Sequence, residues 1–125
     1  MTSPSFCAKI QIAMHELAIT REILNIALDE ARKHGAKRIT AIHLKVGALT
    51  QVVPECVEFY LEILAKGTIA EGAKLETTIV PLTAHCEKCD LTFPVEDYCF
   101  LCPRCGGVAS VASGRELYIE SLEVE

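Results

Sequence analysis

The sequence predicts an α+β fold: a three-stranded mixed sheet covered on one face by two helices, with a small four-cysteine lobe inserted before the last strand. Three observations lead there. Between Glu16 and Val80 the spacing of apolar residues changes from helical to alternating, and then repeats that change once. Two Cys-x-x-Cys pairs follow, Cys86 with Cys89 and Cys102 with Cys105, separated by twelve residues. A last alternating stretch, Arg115 to Glu125, comes after them, so the cysteine segment reads as an insertion between two neighbouring strands of one sheet.

Residues 1–13 carry no convincing period, and Pro4 with two serines suggests an extended, mobile leader. From Glu16 the pattern is helical. Leu17, Leu24, Leu28 and Ala31 form one stripe, which Ile19, Ile23 and Ile26 widen. Gly35 is the natural stop, and Arg32, Lys33 and His34 suit the negative end of the helix dipole. Arg38 to Gly47 alternates, with Ile42, Leu44 and Val46 on one face and His43 and Lys45 on the other. Pro54 opens a second helix, Glu55 to Lys66, whose Val57, Tyr60, Leu61 and Leu64 share a face. Lys74 to Val80 is a second strand with Leu75, Thr77 and Ile79 inward, and the strand, helix, strand order allows a parallel crossover. In the last strand Leu117 and Ile119 share a phase that Leu122 and Val124 reverse, so a bulge is expected near Glu120 and Ser121. The domain reading is thus a leader at 1–13, an α+β domain over 14–82 and 114–125, and a metal lobe over 83–113.

Composition narrows the function class. Half of the 125 residues are hydrophobic, yet no stretch approaches the roughly 20 apolar residues of a membrane span. A formal charge of -5 disfavours general binding of nucleic-acid phosphates. Seven cysteines with no export signal favour thiols and metal over disulfides, which places the chain in the cytoplasm. No nucleophile, base and orienting group share a spacing signal, so the chain does not read as an enzyme.

The two cysteine pairs have the spacing of a tetrahedral four-thiolate site: Cys86, Cys89, Cys102 and Cys105. Two residues between cysteines let both sulfurs face one ion, and Gly106 permits the positive φ such a hook needs. Structural zinc is the default occupant, with iron in a rubredoxin-like cage or a redox dithiol pair as the other occupants of such a motif. Cys99 stands three before Cys102 and competes for the second hook. Pro103 and Gly106 favour Cys102 with Cys105, whereas a Cys99 hook would enclose Phe100 and Leu101. His85, adjacent to Cys86, is expected just outside the ligand set. His43 is expected to point to solvent or a cover rather than to a metal, Cys7 is incidental to the leader, and Cys56 is expected to serve packing.

Met14-His15-Glu16-Leu17 at a helix start, Lys45-Val46-Gly47, Ala70-Glu71-Gly72-Ala73 and the two hooks together resemble the HypA family, accessory proteins for nickel insertion into hydrogenase. The resemblance covers residues 14–125. It implies a nickel metallochaperone with a structural zinc, in which His15 ligates Ni(II) beside Glu16 and Met14. It also implies partners: a HypB-type GTPase and the nickel-iron hydrogenase large-subunit precursor, with a homodimer compatible with both. Ni(II) favours a square plane of nitrogens, which an imidazole and adjacent deprotonated amides supply. The first amides of a helix lack intrahelical acceptors and are therefore available.

The sequence departs from that pattern twice. Thirteen residues precede the motif, which replaces a terminal amine by the Ala13-Met14 peptide, and the leader reads as an over-called start codon or an expression remnant. The loop from Ala48 to Pro54 carries no carboxylate, whereas some relatives have an acid there. A zinc-ribbon module for protein or nucleic-acid interaction, and a rubredoxin-like iron electron carrier, are the alternatives. The first treats His15 as surface and is opposed by the net charge of -5, and the second leaves the helices and the sheet unexplained.

Overall fold

The computed structural model describes residues 3–125, with side chains from His15 onward. Met14 and Cys7 therefore lie outside the described side chains. The element order is α1 (Ser3–Lys33), β1 (Ile39–Gly47), a single 3-10 turn (Ala48–Thr50), α2 (Pro54–Leu64), β2 (Lys74–Val80), β3 (Thr83–Cys86), β4 (Leu91–Pro94), β5 (Ser110–Ser113) and β6 (Leu117–Val124). Two three-stranded sheets result, one ordered β2-β1-β6 and the other β4-β3-β5. The first is mixed. Its β1 and β6 run antiparallel, since Arg38 pairs with Glu125 while Gly47 pairs with Glu116, and β2 follows β1 through α2. The α+β class and the lobe inserted before the last strand are as the pattern predicts.

Contact density divides the chain into two units, Met1–Leu44 with Val52–Thr77 and Tyr118–Glu125, and Lys45–Gln51 with Thr78–Leu117. In the first, α1 packs on α2. The buried line of α1 is Glu16, Thr20, Ile23, Leu24, Ala27 and Ala31, a helical stripe whose first two members are polar. In β1, Ile39, Ala41, Ile42 and Leu44 are buried, and in α2 Val57 and Leu61 are.

Several expectations are corrected. Helix α1 begins at Ser3 rather than near Glu16, because a helix already anchored by tertiary packing extends upstream without needing a periodic apolar face. The amides of His15 and Glu16 are accordingly inside the helix. Ile26 is 49 % exposed: its neighbours Ile23 and Ala27 occupy the centre of the buried stripe, and Ile26 is rotated toward solvent. In β2 Leu75 is buried but Ile79 is 50 % exposed, so the inward phase read from the sequence is buried only toward the start of this edge strand. The other edge strand, β6, is half-buried at Ile119 and Leu122 only. These two are three residues apart, the reversal of phase that the sequence shows. Ile119 is thus a half-buried wall residue rather than a core residue.

The second unit has its own small core: Ala84, Cys86, Phe93, Cys102 and Ala109, with Cys89, Leu91, Val95 and Phe100 packed against it. Strands β3 and β4 form an antiparallel hairpin in which Ala84 faces Phe93 and Cys86 faces Leu91, and β5 pairs with the other edge of β3. Leu101 and Val108, expected among the apolar residues of the lobe, form an isolated bridge and are 52 % and 84 % exposed. Their neighbours Phe100 and Ala109 take the inward phase, joined by the bond from the Ala109 N–H to the Phe100 carbonyl at 2.8 Å. Gly47 meets the backbone of Gly114 so closely that any side chain at 47 would overlap it, and the Gly47 N–H donates to the Glu116 carbonyl.

Candidate metal centre

Both cysteine hooks lie at hairpin tips. The first occupies the turn between β3 and β4, entered at Cys86 and left through Asp90, whose φ of 52° lies in the left-handed region. The second occupies a smaller hairpin closed by the Leu101 and Val108 bridge. There the Gly106 N–H donates to the Cys102 carbonyl and the Cys102 N–H to the Gly107 carbonyl, both at 2.8 Å. Gly106 has φ +75°, which lets the chain reverse directly after Cys105.

This architecture brings one sulfur from each of Cys86, Cys89, Cys102 and Cys105 together, all within 4.8 Å of one another. Cys86 Sγ and Cys105 Sγ are 3.6 Å apart. A tetrahedron with metal–sulfur bonds of about 2.3 Å has edges of about 3.8 Å, so the donor set fits zinc in size, number and softness. Backbone donors point at the sulfurs as well: the Arg104 N–H toward Cys102 Sγ and the Gly107 N–H toward Cys105 Sγ, each at 3.4 Å. The backbone bond from Cys105 leads the causes that pull the Cys102 thiol down to about 6, offset in part by burial and reinforced by Arg104, Cys86 and Cys105. Burial first, then bonds to Cys105, Cys102 and Cys86, pushes Cys89 up to about 12. One cluster thus holds both a thiol that ionises readily, Cys102, and one, Cys89, that keeps its proton until a cation replaces it.

Cys99 is exposed and outside the group, beyond a tight turn in which Asp97 and Tyr98 have φ of 52° and 57° and the Cys99 N–H donates to the Glu96 carbonyl. His85 has both ring nitrogens engaged, Nδ1 with Thr92 Oγ1 at 2.8 Å and Nε2 with Asp90 Oδ1 at 3.3 Å. His43 Nε2 is 2.6 Å from Glu123 Oε2 and belongs to no metal-sized group among the described residues.

At the other predicted centre His15 is exposed and Glu16 is fully buried. One helical step of about 100° separates them, which turns one side chain out and the next in. Glu16 Oε2 accepts the N–H of Val53, the residue that precedes α2, and the Thr20 hydroxyl donates to the Glu16 carbonyl at 2.6 Å. Oε1 is buried with no N–H or O–H partner among the described residues. Cys56, in the first turn of α2, lies beside the same carboxylate: burial, then the Glu16 charge, a bond to Glu16 and the charge of Glu55 raise its thiol. Reading the sequence missed Val53 and Cys56 as partners of Glu16. A signal was available, since Val53 before Pro54 offers no capping side chain, and α2 has to find its cap elsewhere.

Residues 14–124 match the family described as hydrogenase/urease nickel incorporation, metallochaperone, HypA, and the match opens at Met14. The hydrogenase maturation factor HypA of Caldanaerobacter subterraneus subsp. tengcongensis is 40% identical over 114 residues, covering 90% of this chain and 100% of its own. That of Moorella thermoacetica is 42% identical over 113 residues, with the same two coverages. Among solved structures, a HypA solution structure superposes with a TM-score of 0.69 at 20% identity over 90% of this chain and 97% of that one. The nickel metallochaperone HypA from Helicobacter pylori superposes with a TM-score of 0.62 at 16% identity, over 87% and 96%.

Proposed function

The chain belongs to the HypA family of hydrogenase/urease nickel-incorporation metallochaperones, and from that premise we propose that it binds Ni(II) at Met14-His15-Glu16 and delivers it to nickel-iron hydrogenase during maturation. Nickel is the cargo. The resident metal is a structural zinc held by Cys86, Cys89, Cys102 and Cys105, which joins two hairpin tips that share only a small apolar core.

The observation that carries the reading is the exposed His15 imidazole beside a residue whose side chain is buried and bonded. The imidazole is presented to solvent, while its backbone is held on the opposite side. Imidazole with the amides of His15 and Glu16 forms most of a square plane, and Met14 closes it with its own nitrogen. Where helix continues upstream of Met14, those amides are already bonded within α1, and nickel must compete with the helix for them. The family match beginning at Met14 supports a working form in which the Met14 nitrogen is a terminal amine.

A site of few, solvent-accessible ligands suits exchange over storage. It would take nickel from or pass it to a HypB-type GTPase and dock on the hydrogenase large-subunit precursor in the cytoplasm, alone or as a homodimer. The curated relatives are named as hydrogenase maturation factors, which supports that acceptor. Ni(II) titration of wild type against His15→Ala tests the reading: binding should be largely lost in the variant, and full-strength binding would remove nickel from this end of the molecule.

A further inference from the structure

Glu16 is the one charged residue among the fully buried side chains of the described residues, and it sits next to the proposed nickel imidazole. A carboxylate that ligates an exposed ion has to reach solvent, and this one points the other way. Its Oε2 accepts the Val53 N–H. Val53 is the cap position of α2, has extended backbone geometry and makes no capping bond of its own, and Pro54 follows it. The N–H groups at a helix start have no intrahelical acceptor, and the dipole there favours an anion. Glu16 therefore supplies from α1 the cap that α2 lacks. Its own backbone is held as well, by the Thr20 hydroxyl on its carbonyl.

We propose that Glu16 is a positioning residue, a strut between α1 and α2 that fixes the His15-Glu16 backbone for nickel, and that its carboxylate is not a nickel ligand. The proposal rests on the nickel reading given above and assigns Glu16 its part in it: the amide serves the metal plane and the side chain serves the helix. A charge-assisted bond out of water is among the stronger single contacts a protein makes, so its loss releases both helices locally.

The test compares Glu16→Gln, Glu16→Ala and His15→Ala in the full chain. Glutamine keeps an acceptor oxygen for the Val53 N–H, and its amide N–H can face the Cys56 sulfur, but it is a far poorer metal ligand than a carboxylate. Two readouts are followed, Ni(II) affinity with its visible d–d absorption and hydrogen exchange at the Val53 amide. In Glu16→Ala the Val53 amide should exchange about tenfold faster or more, and nickel affinity should fall by a similar factor with His15 intact. Glu16→Gln should restore both to within about threefold of wild type, with the d–d band unchanged. Nickel binding lost in Glu16→Gln while the Val53 amide stays protected would overturn the proposal, because only a ligand role needs the carboxylate there. Unchanged nickel affinity in Glu16→Ala would overturn it too. Should Glu16→Ala not fold, Glu16→Gln alone decides between strut and ligand. If wild type and His15→Ala bind nickel equally, the nickel reading fails, and protection of the Val53 amide still reports whether the strut exists.

Discussion

A Cβ placed on Gly47 would lie 2.1 Å from the carbonyl oxygen of Gly114 and 2.2 Å from its carbonyl carbon. The obstacle is backbone, which cannot rotate aside as a side chain would. Gly114 in turn has φ +115° and is itself packed against Leu82. The end of β1 and the chain entering β6 cross here, with the Leu49 N–H donating to the Gly114 carbonyl at 2.8 Å. Overpacking a core usually costs about 1–3 kcal/mol, and a backbone overlap belongs at or above the top of that range. Gly47→Ala should therefore lower the unfolding midpoint markedly, while Gly67→Ala, with nothing near its Cβ, should cost only the strain of a positive φ. Denaturant melts of the two variants check this, and equal midpoints would contradict it.

Removing one thiolate from the metal group should empty it. Cys86→Ser or Cys102→Ser is expected to lose zinc and to disorder the hairpins around it, leaving the helical signal of α1 and α2 in place. Structural zinc contributes about 10–16 kcal/mol in small peptides, more than a core of five residues, two of them the cysteines themselves, can replace. Cys99→Ser should retain a full equivalent of metal. Metal content by emission spectroscopy with far-ultraviolet circular dichroism on the three variants decides it, and zinc lost from Cys99→Ser alone would reassign the second hook.

Trimming the leader should strengthen nickel binding. A chain beginning at Met14 presents an amine, which loses a proton far more readily than a peptide nitrogen, and frees the amides of His15 and Glu16 from acceptors upstream in α1. The trimmed chain is expected to bind Ni(II) more tightly near neutral pH and with a shallower pH dependence than the full chain. Titrations of both at two pH values measure this, and identical curves would exclude the amine as a ligand.

Cys56 should be the slower thiol. Its pKa is raised, first by burial and then by the Glu16 charge, and the thiolate is the reacting form. Alkylation followed by peptide mapping should label exposed Cys99 well before Cys56 at mildly alkaline pH. The same shift ties stability to pH. A thiol whose folded value lies above its unfolded 9.0 contributes fully below about pH 9, and that contribution is lost as pH rises through the folded value. Cys56→Ser should flatten this decline, and labelling of Cys56 at the rate of Cys99 would show the shift to be absent.

Burial ranks the two isoleucines of neighbouring strands. Ile42 is fully buried in β1 and Ile119 is half-buried in β6, so Ile42→Ala should cost about 2–5 kcal/mol and Ile119→Ala clearly less. Equal costs by denaturant unfolding would mean that Ile119 is more enclosed than its exposure indicates.

What the sequence determined by itself is what depends on near neighbours along the chain. The four clustered cysteines were legible because a hook is a local object: two sulfurs, two spacers and a following Gly106 set its geometry, and Pro103 with Gly106 separated Cys105 from Cys99 as the neighbour of Cys102 in the cluster. The strand spans of β1 and β2, the second helix and the insertion of the lobe were legible for the same reason, since period and turn residues are local. The tertiary structure alone decided which apolar residues face inward where two phases compete. Phe100 and Ala109 are inside and Leu101 and Val108 outside because a hairpin's pairing sets one register for both strands, and Ile26 yields to Ile23 and Ala27 nearer the centre of packing. It also decided the direction of Glu16. Beside His15 in sequence the two read as one ligand set, yet one step of the helix sends the imidazole to solvent and the carboxylate to a helix start thirty-seven residues away, where it accepts the Val53 N–H. That partner is remote in sequence and is brought near only by packing α1 on α2.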